Sequence, residues 1–311
     1  MKRKNIFHIT LMSLVTAGLM CSCDNGVNKT GPLTWKFKDG TLTISGQGVM
    51  PNYDIAPWDK HKVDITNVLI EYGIENVGNK AFSGLMSLRK IEIPSSILSI
   101  GDYAFQGCIG LTSITIPSTL TIGDYAFEGC VGLTSVDFPF NVTSIGKFAF
   151  ANCRNLTSIS IPFYLEVIKE STFEGCENLT SVFIPDRVFS IERNAFANCE
   201  RLERIRLGER VSFIGVGAFK MCRRISRISS YNSVPPKIEI GKDDMPISSE
   251  RTIVVVAGDV HKNAFTHIPK NIPVSVPSGS ISAYKNAPVW EKFTNFDTKL
   301  LFVTVTAGTL E

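Results

Sequence analysis

Residues 104–130 read AFQGCIGLTSITIPSTLTIGDYAFEGC, and Ala-Phe-x-Gly-Cys returns after 22 residues. The phrase does not stop there. Ala-Phe or Thr-Phe pairs begin at 81, 104, 126, 149, 172, 195 and 218, always 22 or 23 residues apart. One unit reads L-T-S-I-x-I-P-x-x-x-x-x-I-G-x-x-A-F-x-x-C-x-x. ITNVLIEYG, residues 65–73, is a degenerate first copy. Twenty-odd residues cannot bury a core alone, but they can form one turn of a stack whose apolar side is covered by its neighbours. Within each unit Ser-Ile-x-Ile-Pro alternates, as at Ser158, Ile159, Ser160, Ile161 and Pro162. That pattern predicts a short strand with isoleucines inward and a proline at its end, where no backbone donor is needed. Strands of successive turns would stack at ~4.8 Å, so about eight rungs would span roughly 38 Å.

Around this repeat the chain divides into expected segments. Lys2, Arg3 and Lys4 precede an apolar run from Ile6 to Met20, the form of a signal peptide over residues 1–22. Ser22-Cys23 follows, and the arrangement resembles a bacterial lipoprotein signal with Cys23 as the lipidated residue; Cys21, after bulky Met20, is the poorer candidate. Residues 23–32 read as a tether. Residues 33–64 form an N-terminal β cap, in which WKFKDGTLTISG carries a D-G hairpin turn. The repeats fill 65–230 and a C-terminal cap region 231–297. A strand or tail, 298–311, ends the chain. In the cap region Ser280 is expected to N-cap a short helix through Lys285, with Trp290 and Phe293 plugging the last rung. TIVVV (252–256) reads as a strand, and Asn263-Ala264-Phe265 echoes the repeat corner.

At L-x-x-I-x-I-P…I-G-x-x-A-F-x-x-C the chain resembles the BspA-like leucine-rich repeat family, over about residues 65–230. GTLTISGQGVMPNY and VPSGSISAYKNAPVWEKF resemble that family's caps. The resemblance implies a β-rich solenoid: about eight rungs of 22–23 residues in a right-handed coil with a parallel sheet. An N-terminal β-hairpin and a C-terminal strand/helix segment would cap it. It also implies an exported, cell-surface protein that binds other proteins or cells. Repeat six departs from the pattern with Gly208 in place of proline. Ile228-Ser229-Ser230 loses it, as a terminal rung would.

The formal charge of +3 comes from the first residues. Without Lys2, Arg3 and Lys4 the 32 Lys and Arg fall to 29, matching the 29 Asp and Glu, and nucleic acid is not an expected partner. Cys108, Cys130, Cys153, Cys176, Cys199 and Cys222 share one phase of the repeat, and Leu85 fills it in the first full copy. Leucine at the same site predicts a buried apolar position. A disulfide between neighbouring rungs would need closer Cβ atoms; metal binding would need Cys or His pairs at ligand spacing. His61, His261 and His267 lack such partners, and Asp243-Asp244 is an isolated acidic pair. No hydrolase, metalloprotease or phosphate-loop motif occurs. No catalytic, cofactor or metal residues are therefore expected.

The outward positions carry what remains. Two ladders are expected on the strand face: Leu69, Glu92, Thr115, Asp137, Ser160, Phe183, Arg206, Ser229, and Asn67, Lys90, Ser113, Ser135, Ser158, Ser181, Arg204, Arg227. The middle is a flat Ser/Thr surface and the later rungs turn basic. Phe183, Arg204, Arg206, Arg227 and Asp137 are the candidate partner-binding residues; the bland alternative is a solvated face. Phe140, Phe163, Tyr164 and Phe189 lie in turns, where they extend an aromatic patch or cover the next rung. The expected function is non-enzymatic protein binding or adhesion to a host or bacterial surface. Glycan binding is the alternative, and an enzyme the remote one. The expected location is the cell surface of a Gram-negative bacterium, with an outer-membrane lipid anchor.

Overall fold

The computed structural model describes residues 28–116, 121–239 and 264–299. The signal and Cys23, Asp243-Asp244, TIVVV at 252–256, His261 and the tail from 300 lie outside the described residues. The fold begins with a hairpin. Strands Leu33–Lys38 and Thr41–Gly46 pair antiparallel through Asp39 and Gly40, whose φ angles are 49° and 75°. A two-residue turn with both φ positive matches the twist of the strands it joins. Strand Asn28–Thr30 adds to the outside of the hairpin. On its other edge Thr41–Gly46 pairs in parallel with Asn67–Ile70. The cap thus supplies the first repeat with a preformed neighbouring strand and covers an edge that would otherwise be open.

Each later rung has three sides. The first carries the Ser-Ile-x-Ile strand: Lys90–Glu92, Ser113–Thr115, Ser135–Asp137, Ser181–Phe183, Arg204–Leu207 and Arg227–Ser230. The second carries two-residue strands whose inward members form a column: Val77, Ile100, Ile122 and Ile145, then Ile168, Ile191, Ile214 and Ile238. The third is a turn holding the Ala-Phe pair. There the N–H of each Phe donates to the carbonyl one rung on, from Phe82 to Ala104 (2.8 Å) through to Phe219 to Ala264 (2.9 Å). The side chains of Phe82, Phe105, Phe127, Phe150, Phe173, Phe196, Phe219 and Phe265 stack inside at 5.0–5.7 Å between centroids. Trp58 closes the stack at one end; Trp290 and Phe293 close it at the other, as expected for the plug. Aromatic rings offset along one axis add to their burial about 0.5–1.5 kcal/mol per pair.

Gly208 shows why repeat six gives up its proline. A Cβ there would lie 2.7 Å from the carbonyl of Ile184 and from the backbone of Pro185. At residues 157–161 the strand face is not part of a named strand, and both sheets divide at that rung. The Ala-Phe side continues through it, with Phe150 N–H donating to Thr172 O at 2.9 Å.

Two expectations change at the C-terminus. The solenoid has about ten rungs rather than eight. Arg227–Ser230 is not terminal: Pro273–Ser275 pairs with it in parallel, and Asn295–Asp297 pairs with that strand. Ser229 is buried beside Ser275 of the further strand, and Ser230 against the Tyr284 hydroxyl, where small side chains fit. The echo at Ala264-Phe265 is a true repeat corner. Ser280 makes no side-chain cap to helix Ile281–Asn286. The helix is fixed by Tyr284 instead, whose hydroxyl lies 2.7 Å from Ser230 Oγ and 2.8 Å from Asn232 O. Trp290 Nε1 donates to Pro236 O at 2.8 Å.

Candidate binding face

The repeat cysteines are buried and free. Each thiol donates to the carbonyl of the phenylalanine one rung back: Cys108 to Phe82 (3.1 Å), Cys130 to Phe105 (3.1 Å), Cys153 to Phe127 (3.2 Å), Cys176 to Phe150 (3.4 Å), Cys199 to Phe173 (3.3 Å) and Cys222 to Phe196 (3.1 Å). Burial pushes the Cys108 and Cys153 thiols up to about 12, and those of Cys130, Cys176 and Cys199 well above their ordinary value. A thiol held neutral is neither a nucleophile nor a ready metal ligand. The column is structural, and it does more than fill space: it adds a weak donor between rungs.

Other candidates for chemistry also resolve into packing. His61 stacks on Phe37 at 4.4 Å in the N-terminal cap. His267 is exposed. Among the described residues, no three His, Cys, Asp or Glu side chains converge as a metal site. A shallow groove of about 380 Å³ on the second side is lined by Asn76, Ser99, Thr121, Asp102, Asp124 and Lys169 among others. Its acids are engaged: Asp102 Oδ1 accepts the Asp124 N–H and Asp124 Oδ1 the Lys147 N–H, both at 2.8 Å. Lys169 Nζ donates to Ser144 Oγ at 3.1 Å.

The outward strand positions fall in the expected register, except that Ser229 is buried rather than outward. Phe183 lies opposite Arg206, and Arg204 lies between Ser181 and Arg227. Phe183 is 42% exposed, so it faces solvent where the rung before it carries Ser160 and the one after it Arg206. Arg206 is not a free docking group. Its guanidinium is held between two rings, 4.5 Å from the centroid of Phe183 and 4.2 Å from that of Tyr231. Its Nε is buried with no hydrogen-bond partner among the described residues. Arg227 is also engaged: Nη1 donates to Ser275 Oγ at 2.7 Å and lies 3.6 Å from Asp297 Oδ2. Arg204 is exposed and has no ion pair among the described residues. Asp137 is exposed opposite Thr115, two rungs before Phe183, and does not join the cluster.

Sequence reasoning missed two contributors. Tyr231 follows the last regular repeat, so its phase gave no sign that it would flank Arg206. Arg187 stacks over Tyr164 at 4.8 Å and Phe163 at 5.7 Å. The turn aromatics themselves are exposed: Phe140 at 76%, Phe163 at 55% and Tyr164 at 39%. Phe163 and Tyr164 meet edge to face at 5.3 Å, and Phe140 lies 6.5 Å from Tyr164. They form a ridge at the margin of the strand face, at the level where both sheets divide.

The BspA type leucine-rich repeat region matches this chain in six copies, over residues 60–162 and 120–239, more than half of its length. The chain belongs to the BspA-type leucine-rich repeat family. Among solved structures, a leucine-rich repeat protein from Bacteroides ovatus is 26% identical, with 65% of this chain and 64% of that one covered and a TM-score of 0.49. The match therefore takes in less than two thirds of that protein's own length. The Treponema pallidum leucine-rich repeat protein is 24% identical over 56% of this chain and 90% of its own, at a TM-score of 0.48. A leucine-rich repeat protein from Eubacterium ventriosum is 18% identical over 86% and 83%, at 0.43. No curated protein matches the sequence.

Proposed function

We propose that this repeat protein is a non-enzymatic binding protein of the bacterial cell surface. Its work would be to hold another protein, of host or bacterial origin, against the strand face. Membership of a repeat family of surface proteins with interaction roles supports the coarse reading. One observation carries it further. The outward residues of the later rungs, Phe183 and Arg204 above all, contribute nothing to the inward core, yet stand on a rigid, in-register surface beside Arg206, which two rings hold in place. Interfaces draw most of their affinity from such aromatic and arginine side chains, not from area alone. Residues 1–22 would direct export, and lipid on Cys23 would anchor the chain to the outer membrane, with the caps at 33–64 and 231–297 flanking the repeats. Glycan binding is a second reading, favoured by the exposed rings of Phe140, Phe163 and Tyr164.

The test is protease shaving of intact cells, with capture of surface proteins by the displayed chain. Shaving should remove the repeats from cells, and capture should fall when Phe183 and Arg204 are both changed to Ala. A chain that resists shaving and is retained by Cys23→Ser cells would sink the surface assignment.

A further inference from the structure

Residues 186–230 carry ten Lys and Arg against five Asp and Glu. Of those ten, only Arg227 is in an ion pair among the described residues. Arg187, Arg201, Arg204, Arg210, Arg223 and Arg224 are exposed. The 23-residue period places several of them one above another. Arg204 pairs in register with Arg227, and Arg187 and Arg201 recur one period later as Arg210 and Arg224. Like charges at rung spacing repel by about 1 kcal/mol even in water. Asp297 offsets Arg227 alone; the other nine have no ion pair among the described residues, so the basic rungs leave room for negative charge from outside.

The same surface is not purely ionic. The ridge of Phe140, Phe163 and Tyr164 borders it, and Arg187 links the two by stacking on Tyr164 and Phe163. A densely charged polymer without apolar groups, such as polyglutamate, would use the arginines and leave the ridge in water. A polypeptide with acidic and apolar side chains would use both.

Building on the protein-binding reading above, we infer that this face takes an acidic polypeptide segment bearing aromatic or large apolar side chains. Phe140, Phe163 and Tyr164 form its apolar shelf. Arg187, Arg204 and Arg210 meet its carboxylates, since an arginine fork matches a carboxylate with two parallel donors. Arg206 and Arg227 are engaged within the molecule and are not the main contacts.

The probes are polyglutamate, a random glutamate/tyrosine copolymer of the same length and dextran sulfate, titrated against the purified full chain at about 50 and about 150 mM salt, where screening lengths differ. The copolymer should bind at least about tenfold tighter than polyglutamate at the higher salt, a factor that one or two buried rings supply. Arg204→Glu with Arg210→Glu should weaken both glutamate polymers by about tenfold or more. Phe163→Ala with Tyr164→Ala should erase the copolymer's advantage while leaving polyglutamate unchanged. All four positions are exposed, and an unchanged unfolding midpoint confirms that each variant is folded. Polyglutamate or dextran sulfate binding as tightly as the copolymer overturns the inference, as does indifference to either double variant. If the chain captures surface proteins but ignores the copolymer, the acidic-segment inference fails and the protein-binding reading stands. If it binds the copolymer but captures no surface protein, that reading fails alone.

Discussion

At the residue scale the decisive position is the repeat cysteine. Leu85 in the same phase made a buried apolar site legible, and burial of all six thiols agrees. What the sequence could not show is the acceptor, the carbonyl of a phenylalanine a full rung away, because that contact exists only once the turns are stacked. The geometry also separates Leu85 from its counterparts. Its neighbour on the N-terminal side is the cap, where Trp58 Nε1 donates to Ala81 O at 2.9 Å, whereas Cys153 is enclosed by two repeat turns. Cys153→Leu should therefore destabilise the protein by about 1–3 kcal/mol, the range for overpacking a filled core. Cys153→Ser, which keeps the size and the donor, should cost less than Cys153→Leu. Denaturant unfolding midpoints measure both. A neutral leucine would mean that the position asks only for an apolar side chain.

At the element scale the C-terminal strands are the part least legible in advance. Pro235-Pro236 and an irregular spacing hide the continuation of the repeat after Ser230, although Trp290 and Phe293 were readable as a plug. Arg227 was read as a docking group because its partner, Asp297, lies far along the chain on the last described strand. Together Arg227, Ser275 and Asp297 fasten that strand to the solenoid, with Ser275 Oγ donating to Asp297 Oδ1 at 2.6 Å. Burial alone would raise the Asp297 carboxyl, but the hydrogen bonds from Ser275 and the Lys299 N–H, with the charge of Arg227, outweigh it and hold the group below its ordinary value. A depressed carboxylate stabilises fully above its unfolded-state pKa, about 4, and that contribution fades as pH falls through the lower folded value. Protection of the amides in Asn295–Asp297 from hydrogen exchange should thus drop as pH falls below about 4, beyond the intrinsic change in exchange rate. Asp297→Asn should show the weaker protection already at neutral pH and little further change on acidification. Equal protection in the two proteins at neutral pH would show that the latch contributes nothing.

At the scale of the whole molecule, the same thiols run through successive rungs of one column, so their titration bears on the solenoid rather than on one turn. Five of them are raised by burial, Cys108 and Cys153 to about 12 and Cys130, Cys176 and Cys199 well above their ordinary value. In the unfolded chain each ionises near 8.5. The neutral form is favoured by folding, so its stabilisation is complete below about 8.5 and is lost as pH rises toward the folded value. Each thiol in that window costs about 1.4 kcal/mol per pH unit, and five acting together approach about 7 kcal/mol per unit. That is comparable with the entire stability of an ordinary domain, roughly 5–15 kcal/mol. The melting temperature should therefore be nearly flat from about pH 6 to 8 and collapse within one to two units above about pH 9. Tyr284, also raised to about 12, adds to the fall only above its own unfolded value near 10. Cys130→Ser with Cys176→Ser removes two of the five ionising groups. Between about pH 9 and 10 the fall of stability with pH should be clearly shallower in that variant. An unchanged slope would mean that the thiols titrate alike in the folded and unfolded chains, and that the column is open to water.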